Sequence, residues 1–172
     1  MVRNLVLTGF MASGKSAVGR RVAERLAWTF VDLDEAIEAE AGRSVPEIFA
    51  AEGEEGFRDR ESRALEKALR GGPAVIATGG GVLLREENRR LLAGHLVLNL
   101  RVTPEEAVAR ARKGGPVRPL LEGADPLGRA RAIFEARRAL YDAVPIQVDT
   151  MGRSADQVAE EVLERVAREL RR

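Results

Sequence analysis

Three observations predict a three-layer α/β fold with a five-stranded parallel sheet flanked by helices. First, five short apolar, β-rich runs stand at Leu5–Thr8, Thr29–Val31, Ala74–Ala77, Leu96–Val102 and Ile146–Val148. Second, helical patterns separate them at Lys15–Ala27, Asp34–Ala41, Val45–Ala51, Glu54–Leu69, Glu86–Leu92, Pro104–Arg112, Pro126–Ala143 and Ser154–Leu170. Strands that alternate with helices argue for a parallel sheet covered on both faces. Third, the first apolar run passes directly into a glycine-rich turn that opens a helix. The 172 residues suit one domain, 1–172, with a sizeable core.

The first strand and helix carry the most specific signal. Gly9-Phe10-Met11-Ala12-Ser13-Gly14-Lys15-Ser16 matches G-x-x-x-x-G-K-[ST] in full. It is flanked by the strand Leu5-Val6-Leu7 and by a helix with Val18, Val22 and Leu26 along one stripe. Glycines let the backbone turn tightly and aim N–H groups inward, so phosphate oxygens meet a nest of donors at a helix N-terminus. Lys15 supplies a point charge for the β- and γ-phosphates, and the Ser16 hydroxyl is placed to ligate Mg²⁺. The competing reading is a chance glycine-rich turn. The complete pattern in its strand–turn–helix context outweighs it, which makes this a P-loop fold with a nucleoside triphosphate as ligand.

Asp32-Leu33-Asp34 follows the second strand, at the sheet edge where α/β proteins bind ligands. One aspartate is suited to a Mg²⁺ water and the other to orienting a substrate hydroxyl, whereas plain helix capping by Asp34 is the bland alternative. Thr78-Gly79-Gly80-Gly81 follows the third strand and lets backbone N–H groups approach a ligand closely. That strand does not end in aspartate as an ordinary Walker B strand does, so Asp32 is the natural Mg²⁺ carboxylate. Residues 113–125 form the one long irregular stretch, with Lys113, Arg118 and several glycines and prolines, and read as a mobile lid over phosphates.

Two helices carry charge where their periodicity calls for core. Glu61 falls between Phe57 and Leu65 on the stripe of 54–69, with Arg58 three residues before it and able to pair along the helix. Arg137 interrupts the stripe Ala130, Ile133, Phe134 and Tyr141 on 126–143. Buried charge needs partners or a ligand. A snorkelling arginine explains either position alone. Two arginines and a carboxylate in a P-loop chain point to a pocket for an anionic substrate. His95 reads as a strand-end residue, and Trp28 and Tyr141 as packing residues.

Composition excludes several classes. A net charge of +1 points to neither nucleic acid nor membrane as partner. The absence of cysteine removes disulfides, thiolate metal sites and a cysteine nucleophile. The N-terminal apolar run is too short for a signal peptide, and no stretch approaches the ~18 apolar residues of a membrane helix. A cytoplasmic monomer is the expectation.

Taken in order and spacing, Gly9–Ser16, Asp32-Leu33-Asp34, Phe57-Arg58-Asp59-Arg60-Glu61, Thr78-Gly79-Gly80-Gly81, Arg118-Pro119-Leu120-Leu121 and Arg137 with Tyr141 resemble the shikimate kinases over nearly the whole chain. The resemblance implies ATP-dependent phosphorylation of the 3-hydroxyl of shikimate, a step toward chorismate and the aromatic amino acids. It also implies a fold like the nucleoside monophosphate kinases, with a substrate-binding subregion at about 33–61 and a lid at about 112–125.

Carried over residue by residue, Ala12, Ser13, Gly14, Lys15, Ser16, Ala17, Arg112 and Arg118 would bind ATP. Ser16 and Asp32 would serve Mg²⁺, and Arg58 and Arg137 the shikimate carboxylate. Asp34 with Gly79, Gly80 and Gly81 would meet its hydroxyls. Lys15, Asp34 and Arg118 would be catalytic, Glu61 would orient Arg58, and Phe49, Phe57, Pro119 and Leu120 would wall the pocket. Ala12 stands where a glycine is common in the family. The lid is about one residue short of some relatives, so Arg112 fits the adenine-stacking position and Arg110 is the alternative. The rival readings are another small-molecule P-loop kinase, acting on gluconate or a nucleoside monophosphate, and a nucleotide switch without an acceptor.

Overall fold

The computed structural model describes residues 4–115 and 118–171. The five strands are β1 (Leu5–Gly9), β2 (Thr29–Asp32), β3 (Ala74–Ala77), β4 (Leu96–Arg101) and β5 (Ile146–Asp149). They form one parallel sheet in the order β2-β3-β1-β4-β5. Among the described residues the helices are α1 (Lys15–Leu26), α2 (Leu33–Ala41), α3 (Val45–Arg70), α4 (Glu86–Leu92), α5 (Pro104–Arg112), α6 (Pro126–Asp142) and α7 (Ala155–Leu170).

The strands read as near-continuous apolar runs because both faces are covered. Leu5 and Leu7 join Val18, Val22, Val158 and Val162 in a core beneath α1 and α7. Val6 points the other way and packs with Leu33, Ile48, Phe57, Leu65 and Tyr141 beneath α2, α3 and α6. The alternation follows from the two-residue period of a strand. Since β1 lies between β3 and β4, its carboxyl end sits where the chain's crossovers part to either side, which is where open α/β sheets bind ligands.

The helical patterns at 45–51 and 54–69 stand as two segments within the range of α3, with the chain breaking between them at Gly53, φ 71° and ψ −178°. Only glycine takes that conformation without strain. Ser44 begins α3 with a capping box to Glu47. Short 3₁₀ turns at Val82–Leu84 and Pro119–Leu121 have no periodicity long enough to show in sequence. The expected lid, 112–125, contains the second of these turns, while its residues 116 and 117 lie outside the described ones.

Candidate active site

Four segments meet at the carboxyl edge of the sheet: the P-loop after β1, Asp32 to Asp34 after β2, the glycine run after β3, and α6. In the P-loop, Gly9 has φ 144°, and a Cβ there would lie 2.4 Å from the Leu100 carbonyl oxygen, so no side chain fits. Gly14 starts α1 at φ 91°. Ala12 is also left-handed, at φ 58°. Its departure from glycine therefore carries backbone strain of about 1 kcal/mol as well as a methyl group. The Lys15 ammonium is buried and donates to the carbonyls of Gly9 and Phe10, at 2.8 and 2.9 Å, and to Ser13 Oγ at 3.3 Å. Burial, and secondarily Arg118, push its pKa down to about 7, against the pull of Asp34 and Asp32.

Asp32, and not Asp34, caps α2. Its Oδ1 accepts from the backbone N–H of Asp34 at 3.0 Å and of Glu35 at 3.2 Å, and its Oδ2 accepts from Ser16 Oγ. Asp34 is thereby released from capping. Its Oδ1 is buried without a hydrogen-bond partner. Burial raises the Asp34 pKa to about 6, helped by Asp32 and Glu61 and opposed by Lys15 and Arg118. These charges draw Asp34, Lys15 and Arg118 into one electrostatic cluster. Arg118 is half-buried, its Nε has no partner, and burial lowers its pKa.

The pattern-breaking charges share a wall of the same site. Glu61 is fully buried and accepts from Arg58 Nη1 at 2.9 Å through Oε1. Burial raises its pKa, with Arg58 pulling the other way. Arg58 Nη2 also reaches Glu54 at 3.3 Å. The glycine run lies directly on these groups. A Cβ on Gly79 would stand 2.6 Å from Glu61 Oε2, and one on Gly81 would stand 2.5 Å from the Arg58 guanidinium. A Cβ on Gly80 would lie 3.6 Å from Arg137 Nη1. Arg137 is 6% exposed, which excludes the snorkelling reading. Phe49 and Phe57 stack with centroids 4.7 Å apart behind Arg58.

Two expectations change. Tyr141 packs, but its hydroxyl also donates to the Gly80 carbonyl at 2.6 Å. The signal was present in sequence, since Tyr141 lies one helical turn beyond Arg137 on the same face. Arg112 is exposed on α5, whereas Arg110 donates to the Ala12 carbonyl at 3.1 Å and to Thr150 Oγ1 and O at 3.2 Å each. Two residues along a helix turn the side chain by about 200°, so only one of the pair can face the P-loop. His95 accepts from the Asn4 backbone N–H at the start of β4, the strand-end place expected of it.

Known proteins of similar sequence and fold identify the family. A shikimate kinase family model matches residues 11–167. A shikimate kinase of Symbiobacterium thermophilum is 51% identical over 166 residues, covering 95% of each chain. A solved shikimate kinase from Acinetobacter baumannii in complex with shikimate superposes with TM-score 0.91 at 33% identity, over 98% of this chain and 95% of that one. A gluconokinase from Sinorhizobium meliloti, with TM-score 0.64 at 18% identity over 96% and 92% of the two chains, shares the fold alone. With the family model spanning most of its length and a relative identical at half its positions, the chain belongs to the shikimate kinase family.

Proposed function

We propose that the chain transfers the γ-phosphate of ATP to the 3-hydroxyl of shikimate, giving shikimate 3-phosphate and ADP. The observation that carries the reading is the wall formed by buried Arg58, paired with Glu61, and buried Arg137 around the glycine run, facing Asp34 and the P-loop. Two guanidiniums suit a carboxylate, and Asp34 with the amides of Gly79 to Gly81 suits ring hydroxyls. Ala12 to Ala17 hold the ATP phosphates. Arg110, fixed between Ala12 and Thr150, is better placed than Arg112 to border the adenine.

Ser16 and Asp32 fit Mg²⁺. They offer a hydroxyl and a carboxylate within one hydrogen bond of each other, the oxygen donors a hard cation takes, and would hold the ion there. When bound, it would neutralise phosphate charge. Lys15 leaves its loop carbonyls to meet the β- and γ-phosphates, and phosphate restores the charge that burial disfavours. Arg118 approaches from the lid segment to the transferring phosphoryl group. Asp34 holds the 3-hydroxyl in line and takes its proton as the bond forms. Positioning and charge supply nearly all the catalysis, because the transition state is loose.

No helix among the described residues is long and apolar enough to cross a membrane. The same reading makes the enzyme a cytoplasmic monomer acting on two small molecules, with no nucleic-acid or membrane partner. A coupled ADP-release assay with ATP and Mg²⁺ tests it, run with shikimate, with gluconate, with nucleoside monophosphates and without acceptor. Release that requires shikimate is the expected result; release with another acceptor or with none overturns the reading.

The crowding at Gly81 yields a further expectation. Gly81→Ala places a methyl group on the Arg58 guanidinium and shifts it from the carboxylate, so the KM for shikimate rises by roughly 10- to 100-fold, the worth of one charge-assisted hydrogen bond. The KM for ATP stays near its original value. Steady-state kinetics with each substrate varied in turn check both statements.

A further inference from the structure

We infer that Tyr141 is a positioning residue for the acceptor substrate: its hydroxyl sets the glycine run against Arg137 and the P-loop. The inference rests on the reading of Gly79 to Gly81 and Arg137 as acceptor contacts. Tyr141 is 4% exposed, and its hydroxyl donates to the Gly80 carbonyl at 2.6 Å. Arg137, one turn earlier on α6, lies beside both the phenol and Gly80. Gly80 in turn backs onto the P-loop, where its Cβ position is 3.4 Å from the Met11 nitrogen and 3.6 Å from the Gly9 carbonyl oxygen. The ring packs edge-on against Phe10 of the P-loop, with centroids 6.4 Å apart at 70°. One side chain thus touches the element that meets substrate hydroxyls, the arginine for the carboxylate, and the loop that holds phosphate.

The end of α6 that carries Tyr141 is itself fixed to the sheet. Gln147 on β5 donates from Nε2 to the carbonyls of Tyr141, at 2.9 Å, and Val144, at 2.7 Å. With its amide nitrogen so engaged, its Oε1 accepts from Asn99 Nδ2 on β4 at 2.8 Å. A polar chain therefore runs Asn99–Gln147–α6–Tyr141–Gly80 through an otherwise apolar layer. Each link sets a distance or a rotation that apolar packing alone leaves free. Phenylalanine fills the same space as tyrosine, so packing by itself does not call for the hydroxyl.

Tyr141→Phe separates the two roles. The ring contacts survive, while Gly80 loses its donor and the glycine run is free to shift relative to Arg137. The expected result is a KM for shikimate raised about 3- to 10-fold, the range of one buried neutral hydrogen bond. The KM for ATP changes by less than twofold, and the melting temperature gained on adding shikimate shrinks. An unchanged shikimate KM, or an equal rise in both KM values, overturns the inference and leaves Tyr141 a packing residue. If the variant is less stable, calorimetric titration with shikimate well below its melting temperature decides: weakened binding supports the inference and unchanged binding overturns it. Arg137→Ala serves as the control. If it alone weakens shikimate binding, the acceptor site stands and only the role of Tyr141 falls; if wild type shows no use of shikimate, the underlying reading falls first.

Discussion

Asp34→Asn lowers turnover about 100-fold or more and, at the same time, makes the folded protein more stable. The loss follows from the chemistry, since an amide cannot take the hydroxyl proton and holds the acceptor less firmly in line. The gain follows from electrostatics. Asp34 sits with Asp32 and Glu61, and burial raises its pKa to about 6 from 3.8. Its folded-state value therefore lies above the unfolded one. Between those two values the folded chain binds more protons than the unfolded chain, so stability is lost as pH rises through that window and stays lost at neutral pH. The ionised carboxylate costs on the order of 2–3 kcal/mol, which asparagine removes. A melting temperature higher by about 4–8 °C at pH 7 is the expected readout, vanishing near pH 4 where the native carboxyl is already protonated. The wild-type rate falls as pH drops below about 6, as Asp34 takes up its proton. Near-normal turnover in the variant removes the base role, and a lowered melting temperature removes the argument from charge.

Much of this site was legible in the sequence because it breaks rules that the rest of the chain obeys. Glu61 and Arg137 interrupt apolar stripes, and both proved buried in the site. The P-loop and the three glycines announce close approach: a Cβ at Gly9 would strike the Leu100 carbonyl, and one at Gly79 or Gly81 would displace the Glu61 carboxylate or the Arg58 guanidinium. All five strands were legible because a doubly covered parallel sheet concentrates apolar β-branched residues. Ends were less so. Asp32 and Asp34 each make a chemically sound cap, and only the backbone geometry shows that Asp32 takes the amides. The two 3₁₀ turns are too short to leave a period. Arg110 against Arg112 depends on the rotation of α5, which a lid of altered length conceals from spacing arguments. The place of Tyr141 one turn beyond Arg137 was legible, but its hydrogen bond was not, because an aromatic on a core stripe satisfies packing and the hydroxyl needs a partner from a different element, Gly80.

Arg58→Ala and Arg137→Ala each weaken shikimate binding by about 2–4 kcal/mol, roughly 30- to 1000-fold, yet they part company in stability. Arg58 is the partner of Glu61, a fully buried carboxylate whose Oε2 has no hydrogen bond even in the intact protein. Removing the guanidinium takes away its hydrogen-bonded partner and leaves only the weaker fields of Arg137 and Arg85, a loss approaching the about 3–5 kcal/mol of a broken buried pair. Glu61 escapes part of the cost by protonating. Its pKa is already raised by burial and rises further without Arg58, so the variant loses stability as pH increases. Unfolding measured at acid and alkaline pH therefore shows a larger deficit at the alkaline end, and adding Glu61→Gln recovers part of it. Arg137 is different. It sits against Gly80 and the phenol of Tyr141 and, among the described residues, in no ion pair. Its removal takes from Glu61 a smaller charge contribution than that of Arg58, with no hydrogen bond to the carboxylate, and relieves some of the crowding of positive charge around Lys15. Arg137→Ala thus keeps its melting temperature within a few degrees while losing acceptor affinity. If both variants bind shikimate as wild type does, the pocket is misassigned. If Arg137→Ala is the less stable of the two, the Arg58–Glu61 pair is not the structural partner of the site that its burial makes it.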